Sequence, residues 1–286
     1  FNLNGLAHKV VFDAEFAYAD TGQNFDDLPL YDPLDDTSII EFRRRLASGA
    51  LPPTITDPKF DPRRFAIRSG LQSWVTSPSA EVVDDLMALR MGVRQRWQTK
   101  RGPAGNQHIV DWLTLDMNAT YFPRADRDNF GQELGLIDYD LRWHLGDRFT
   151  VLSDGFADLF GDGLRTVSGG VLINRPTVGN AYLGVRSING PVVSNALISR
   201  FSYRMSEKWI ASAAAAFDFE NTGNIGQTFS VTRIGESFNV SAGFNVDASK
   251  DNFGVGLQVE PRFIPNSRLT RTTGIDVLPA GALGLE

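Results

Sequence analysis

The chain has 286 residues, no cysteine, and a formal net charge of -6 from 28 Lys and Arg against 34 Asp and Glu. The lack of cysteine excludes disulfides and thiolate metal sites, and the acidic balance argues against a nucleic-acid binder, which needs a basic surface. The longest apolar run, Trp209–Phe217, is about half the length of a membrane-spanning helix. A mean hydropathy of -0.18 is compatible with a membrane β-barrel, because half of each of its strands faces water.

Residues 1–19 carry the first predicted strand, in which the apolar residues of "VVFDAEFAY" alternate with Asp13 and Glu15. Residues 20–62 then form a long loop that interrupts the pattern. Within it, an apolar stripe and a capping Asp36 or Thr37 predict a short helix over Asp35–Gly49. A second short helix is predicted within Ser77–Arg90.

From residue 63 to 264, apolar and polar residues alternate in segment after segment, separated by short polar turns such as "LGDR", "MSEK" and "DASKDN". The pattern predicts an all-β antiparallel meander of roughly 12–14 strands, with residues 265–286 as a tail. We place its strands at Leu89–Thr99, Leu113–Tyr121, Ile137–Leu145, Phe149–Phe156, Leu164–Ile173, Ala181–Ile188, Val193–Met205, Trp209–Phe217, Ile225–Ile234, Phe238–Val246 and Phe253–Val259.

Alternation alone does not say whether the apolar face meets protein or lipid, so a soluble β-sandwich or barrel and a transmembrane β-barrel compete. Three features favour the transmembrane β-barrel. The strands reach the roughly 9–11 residues needed to span a bilayer, and charges occur in the middle of the polar face. Aromatic residues also lie near strand ends on the apolar face, as in interfacial girdles: Trp97, Tyr121, Trp143, Trp209, Phe217 and Phe253.

The polar face of several strands forms a predicted ladder of charged side chains that face the lumen. Arginine forks suit phosphate and carboxylate groups, so this ladder is the candidate guide for anionic solutes or lipid headgroups. The alternative is a network that only makes the barrel wall rigid. The ladder consists of Arg90, Arg94, Arg96, Asp116, Asp138, Asp140, Arg142, His144, Arg200 and Arg204.

The last predicted strand, "NFGVGLQV", has a polar residue, a glycine and two apolar residues at Asn252, Gly254, Leu257 and Val259. This spacing resembles the β-signal that the barrel-assembly machinery recognises in outer-membrane strands. The pattern lies inside the chain, which is a feature of the LptD family of lipopolysaccharide-assembly proteins, also called organic-solvent-tolerance proteins. "LRMGVRQRWQTKRG", "LRWHLGDRFTVLSDG" and "RFSYRMSEKWIAS" are also similar to the C-terminal barrel region of divergent members.

The resemblance covers roughly residues 60–286. It implies an outer-membrane translocon that inserts lipopolysaccharide into the outer leaflet, with membrane lipid, a lipoprotein plug and the barrel-assembly machinery as partners. The chain departs from the family in strand number, in the absence of a jellyroll segment and in the absence of cysteines. It is therefore either part of a larger barrel or a smaller closed barrel of related sequence.

No catalytic motif or cofactor signature is found, and His8, His108 and His144 are too far apart for metal-ligand spacing, so we expect no enzyme, no cofactor and no metal. Two acidic segments could hold divalent cations but are interpreted as solvated loops. These are Pro123–Glu133 and the hairpin tip that contains Asp154, Asp158 and Asp162.

The predicted function is assembly or translocation of lipopolysaccharide-like glycolipid at the bacterial outer membrane. A porin or passive channel for small solutes and a plugged structural barrel are the alternatives. With roughly thirteen strands and the last one ending in the periplasm, residues 20–62 would also be periplasmic.

Overall fold

The computed structural model describes residues 3–22, 57–60, 68, 84–103, 105–220, 223–248 and 251–261. The predicted helix at Asp35–Gly49 and the tail at 265–286 lie outside these residues. Twelve strands occur in the described part: β1 (Ala7–Ala19), β2 (Leu86–Arg101), β3 (His108–Tyr121), β4 (Leu134–His144), β5 (Phe149–Asp158), β6 (Arg165–Arg175), β7 (Gly179–Asn189), β8 (Ser194–Arg204), β9 (Trp209–Asp218), β10 (Gly223–Ile234), β11 (Phe238–Asp247) and β12 (Asn252–Pro261).

The twelve strands form one sheet in which each strand pairs antiparallel with the next along the chain. Besides the helical residue Arg68, the described part contains a 3-10 turn at Pro58–Phe60 and one turn of helix, α1, at Ala125–Asp128. None of the described helices is long and apolar enough to cross a membrane. The predicted meander and its strand number are therefore confirmed.

The second predicted helix is wrong where it overlaps β2. Leu86–Arg90 is strand, because these residues pair with the end of β1, from Glu15 to Ala19. Residues 69–83 of that region lie outside the described part. Here the backbone hydrogen bonds with a neighbouring strand, rather than the local helical pattern, determine the structure.

The two faces of the sheet have the reverse of the polarity of a soluble protein. On the apolar face, Phe12 and Val255 are each 77% exposed and Leu257 is 74% exposed. On the polar face, Asp154 is only 8% exposed and Arg186 only 7%. Large exposed apolar surfaces mark contact with another apolar phase, and this surface runs along the whole sheet.

The polar face is the enclosed one. Its charged side chains Asp154 and Arg186 are nearly buried, and Arg90 on β2 reaches across β3 toward Asp138 on β4, with 3.5 Å between Nη2 and Oδ1. The fold is therefore an antiparallel transmembrane β-barrel with an apolar outer wall and a polar inner wall. The predicted fold class is confirmed.

Aromatic side chains on the outer wall lie in two groups, one near each end of the strands. One group contains Trp97, Trp143, Phe149, Tyr203, Trp209 and Phe238; the other contains Tyr18, Tyr121, Phe217 and Phe253. Between these two girdles, no outward position of the described strands carries a charged residue. Aromatic belts around an apolar band are typical of the two membrane–water interfaces.

The two ends of the barrel differ in the length of their connections. At the short-turn end, the connections span residues 102–107, 145–148, 176–178, 205–208 and 235–237. At the long-loop end they include residues 20–85 and 122–133. β12 ends at the short-turn end, whereas residue 20 follows β1 at the opposite end, so the predicted parity is wrong. The described part holds an even number of strands, twelve, and the rough count of thirteen gave the opposite parity.

The strands β1 and β12 form the two edges of the sheet. Each pairs with one neighbour, β2 and β11 respectively, and within the described residues they do not pair with each other. Both strands have many exposed residues on both faces. Unpaired backbone groups of this kind are not stable in hydrocarbon, so these edges require a covering strand in a membrane.

Candidate functional site

The predicted ladder comes together on the inner wall of β2, β3 and β4. Arg94 lies directly across from Asp116, and Asp116 lies directly across from Asp140. Asn118 and Asp138 form the next pair toward the long-loop end, and Thr114 and Arg142 the next pair toward the short-turn end. Because every second residue of a strand shares a face, regular pairing brings residues far apart in the sequence onto one surface.

Four ion pairs connect the ladder. Arg96 Nη2 lies 3.2 Å from Asp116 Oδ2, and Arg142 Nε lies 3.0 Å from Asp140 Oδ1. Arg90 pairs with Asp138, and Arg94 Nε lies 3.4 Å from Asp13 Oδ1 on β1. The side chains involved are between 22% and 49% exposed, so they face an interior that is in part open.

Two like charges meet at the centre of this ladder. Asp116 and Asp140 are direct cross-strand neighbours, an arrangement that is unfavourable unless cations compensate it. Arg96 and Arg142 each bind one oxygen of this pair of carboxylates. The other oxygen of each, Oδ1 of Asp116 and Oδ2 of Asp140, is buried and accepts no hydrogen bond from the described residues. The ladder thus presents acceptor oxygens beside fixed guanidinium groups.

His144 lies at the end of the ladder, on β4. Its Nδ1 is 3.0 Å from Thr150 Oγ1, on the adjacent strand β5. No group of three or more histidine or acidic side chains with metal-binding geometry occurs in the described part of the chain. Through its contact with Thr150, His144 takes part in the polar network of the inner wall.

Arg200 and Arg204 lie on β8, apart from this cluster. Arg200 lies on the inner wall, across from Tyr182 and Ala214. Arg204 is the last residue of β8 and is exposed at the short-turn end, where it bonds the carbonyl oxygens of the next turn. Both residues have the inner parity that the alternation predicts, but Arg204 lies at the rim of the wall.

The charged wall extends beyond the predicted residues. Asp13 on β1 fits over Gly92, where any side chain on residue 92 would collide with its carboxylate. On the other side, Asp140 is followed across the strands by Asp154, Ser168 and Arg186. Arg186 Nε donates to Ser168 Oγ at 3.1 Å. The same alternation that identified the ladder could have identified these residues, because each is a polar residue on the inner parity of its strand.

The β-signal-like residues lie on the edge strand β12. Asn252 and Gly254 belong to its inner face, and Leu257 and Val259 belong to its outer face. The Asn245 side chain covers Gly254, so a larger residue at 254 would displace that side chain. The edge position leaves one side of this strand without a described partner.

An anchor that the sequence did not reveal lies at the long-loop end. Arg68 is 2% exposed and Asp158, at the end of β5, is fully buried. Nη2 of Arg68 lies 2.9 Å from both carboxylate oxygens of Asp158, and Nε lies 2.5 Å from Asn129 Oδ1. The interpretation of Asp158 as part of a solvated hairpin tip is wrong, because this carboxylate is required to neutralise a buried guanidinium.

Aromatic rings complete the anchor. The guanidinium carbon of Arg68 lies 5.3 Å from the ring centroid of Phe160 and 5.8 Å from that of Phe130. Phe130 has a φ of 51°, in the left-handed region that costs a non-glycine residue about 1–2 kcal/mol. The strain places its ring against the anchor. The loop Pro123–Glu133 is therefore packed around Asn129 rather than solvated throughout.

Residues 57–60 bind the inner wall beside this anchor. Phe60 is buried against Leu136, Leu164 and Ile188, which lie on the inner wall or the adjoining loop. Lys59 pairs with Asp57 at 3.3 Å and with Asp162 at 2.5 Å. The bond with Asp162 raises the pKa of the Lys59 ammonium and lowers the pKa of the Asp162 carboxyl. Part of the long β1–β2 connection thus contacts the mouth of the barrel.

No protein-family model and no curated protein matches the chain. Among solved structures, it is similar to the KdgM porin described in complex with disordered oligogalacturonate, with a TM-score of 0.28 and 8% sequence identity. The match covers 59% of this chain and 94% of that chain. A similarity this low gives no information about function. The functional argument therefore rests on the polarity of the two walls and on the charges of the inner wall.

Proposed function

We propose that the chain is a bacterial outer-membrane barrel that acts as a passive channel for small hydrophilic solutes. In this proposal the ladder on β1–β4 sets which charges pass. No chemical step is required, since the inner wall only has to replace part of the hydration of a passing ion. Arginine and aspartate side chains that face each other across a lumen attract solutes of both signs to different sides of the path.

The observation that carries the proposal is the ladder of half-exposed ion pairs on the inner wall. Pairs exposed to this degree contribute only about 0–1 kcal/mol each to stability. Fixing four of them on neighbouring strands is therefore a poor way to stabilise the barrel. The same groups are well suited to act on charged solutes, because the low-dielectric walls around a water-filled lumen focus their field.

The membrane orientation follows from the lengths of the connections. Outer-membrane barrels have short periplasmic turns and longer extracellular loops. The short-turn end, including the end of β12, would then face the periplasm. The long-loop end, where the β1–β2 connection begins and ends and where the Arg68 anchor lies, would face the outside, and residues 57–60 contact the entrance there.

The direct test is single-channel recording of the purified chain in planar bilayers under a KCl gradient. Two double variants are matched: Arg94→Gln with Arg96→Gln, and Asp116→Asn with Asp140→Asn. Removing the arginines is expected to shift the reversal potential toward cation preference, and removing the aspartates toward anion preference.

Arg148→Gln is the control, because Arg148 is exposed in the turn between β4 and β5 and lies outside the ladder. It should leave the reversal potential unchanged. If the folded chain does not conduct, or if all three variants behave alike, the channel proposal is wrong. A folded chain without measurable conductance would favour the plugged structural barrel.

The unpaired edges support a second candidate, assembly of lipopolysaccharide-like glycolipid. A barrel whose first and last strands separate gives a lipid a lateral path from the lumen to the bilayer. The pattern at Asn252, Gly254, Leu257 and Val259 and the resemblance to the LptD barrel point the same way. Its partners would be lipopolysaccharide, a lipoprotein plug and, during insertion, the barrel-assembly machinery.

Photo-crosslinking from the two edges separates this candidate from the channel. A photoreactive residue at Val10 on β1 or Val255 on β12 should capture lipopolysaccharide in cells if glycolipid passes between the edges. The same residue at Val185, on the outer wall of β7, is the control for general lipid contact. Equal capture at all three positions would contradict the assembly function.

A further inference from the structure

A cavity of about 930 Å³ lies at the short-turn end, between three consecutive turns of this end. It is bounded by residues of the β6–β7, β8–β9 and β10–β11 connections. Its lining includes three cations, two acidic side chains and two hydroxyls: Arg204, Lys208, Arg233, Glu207, Glu236, Ser206 and Thr177. None of these except Arg204 belongs to the predicted ladder.

Contacts with the turn and with an aromatic ring position two of the cationic groups around the cavity. Arg204 donates from Nε and Nη2 to the carbonyl oxygens of Ser206 and Glu207, at 3.4 and 3.2 Å. The guanidinium of Arg233 lies over the ring of Trp209, with its carbon 5.9 Å from the centroid. The main-chain amide of Lys208 donates to Ser206 Oγ at 3.3 Å, which fixes the turn from which the Lys208 side chain extends.

These cations are not neutralised by protein groups within the described residues. Neither Arg204, Lys208 nor Arg233 forms an ion pair with any described carboxylate, although Glu207 and Glu236 line the same cavity. Arginine and lysine clustered without carboxylate partners form a site for a phosphate group, which offers several acceptor oxygens at once.

The position of the cavity identifies the source of the phosphate. Trp209 belongs to the aromatic girdle of the short-turn end, so the cavity lies at the level of lipid headgroups. We propose that this cavity binds the phosphate of a phospholipid headgroup in the leaflet at the short-turn end. Glu207 and Glu236 oppose a free dianion, whereas they accept hydrogen bonds from a headgroup that carries hydroxyl or ammonium donors.

The test is native mass spectrometry of the detergent-solubilised chain, titrated with dihexanoyl phosphatidylglycerol. The wild-type chain should bind one lipid at this site. Lys208→Gln combined with Arg233→Gln should weaken binding by about tenfold or more, because charge-assisted hydrogen bonds are lost. Lys208→Gln alone, in an exposed turn that tolerates substitution, should also weaken lipid binding, but by less than the double variant.

Arg148→Gln is the matched control, since it removes a cation from another turn of the same end. An equal loss in this control would mean that only general charge attracts the lipid, and it would overturn the proposal. Inorganic phosphate that binds as tightly as the lipid would overturn the headgroup assignment, as would absence of binding by both probes. The outcome is independent of the channel recordings, because these residues lie outside the ladder on β1–β4.

Discussion

The inner wall of β1–β5 differs from that of β9–β12, although the outer wall is apolar along both. The first region carries charges in the middle of every strand and all four ion pairs of the ladder. In the second region, the described inner positions are mostly small or neutral, and charges occur only at strand ends: Asp218, Asp247 and Glu260. Hydroxyl contacts, such as Thr232 to Ser241 at 2.8 Å, take the place of ion pairs.

This difference indicates which constraint acts on each wall. Lipid imposes one chemistry on every outward position, whereas a hydrated interior accepts either charged or neutral polar groups. The concentration of charge on one side of the interior is therefore not required by the fold. Under the proposed channel function, we attribute it to the charge of the solutes, so variants in the two regions should behave differently.

The largest effect is expected at the Arg68 anchor, which joins the long-loop segment to the charged region. Asp158→Ala leaves a buried guanidinium without its carboxylate and should lower the free energy of unfolding by about 3–5 kcal/mol. Urea unfolding of the chain in lipid vesicles measures this loss of free energy. Replacing both partners, Arg68→Met with Asp158→Leu, should cost less than the single change.

The double replacement is also the control for this prediction. If Asp158→Ala stays within about 1 kcal/mol of the wild type, the anchor is not buried as described. If the double variant is the less stable of the two, the penalty does not come from an uncompensated charge.

Two adjacent residues of the neutral region provide the next test. Phe229 lies on the outer wall in the middle of β10, and Ser230 lies on the inner wall. Phe229→Arg should lower the free energy of unfolding by about 2–4 kcal/mol, because it places a charge in the hydrocarbon. Ser230→Arg should cost less than about 1 kcal/mol, because its charge meets water.

If Ser230→Arg lowers the free energy of unfolding more than Phe229→Arg does, the assignment of the inner and outer walls is contradicted. Equal, large costs would show instead that the interior of the neutral region is dry. In a hydrated interior, Ser230→Arg should also shift the reversal potential toward anion preference, and so extend the charge effect to the second region.

The alternation of residues allowed the twelve strands and the polarity of each position to be predicted, because a period of two is a local property. The inner ladder from Arg90 to His144 followed from the same parity. The pairing of Arg94 with Asp13 depends on how β1 meets β2 across the long connection, and alternation does not determine it. The register is also shifted by an irregularity beside Trp97 and Gln98.

The Arg68 anchor shows a second limit of the sequence. Arg68 and Asp158 are 90 residues apart, and neither belongs to a motif. The sequence of β5 suggests a loop rich in aspartate, and only the packing of Phe60 and Asn129 beside it turns one of these carboxylates into a buried partner. Long-range contacts of this kind depend on how the loops fold back onto the inner wall, which has no local signature.

The smallest effect is expected at the exposed pair of Lys59 and Asp162, beside the anchor. Asp162→Asn should return the pKa of Lys59 toward its ordinary value, since the hydrogen bond that raises it is lost. The contribution of this pair to the free energy of unfolding is fully present at neutral pH. This contribution is lost as pH rises through the raised pKa of Lys59 or falls through the lowered pKa of Asp162.

The chemical shift of the Lys59 ε carbon, followed against pH, measures this change. Asp57→Asn is the control, because the bond from Asp162 contributes most to the raised pKa. A larger effect of Asp57→Asn than of Asp162→Asn would contradict the described contact between residues 57–60 and the β5–β6 loop.

The most direct test of the account measures which medium each wall meets. Spin labels at Val185, Phe229 and Leu257 on the outer wall, and at Thr228 and Ser230 on the inner wall, can be compared in lipid vesicles. We predict that oxygen, which concentrates in lipid, relaxes the outer labels most and that a water-soluble nickel complex relaxes the inner labels most. Outer labels that are shielded from oxygen, or inner labels that respond to it more strongly, would contradict the transmembrane barrel.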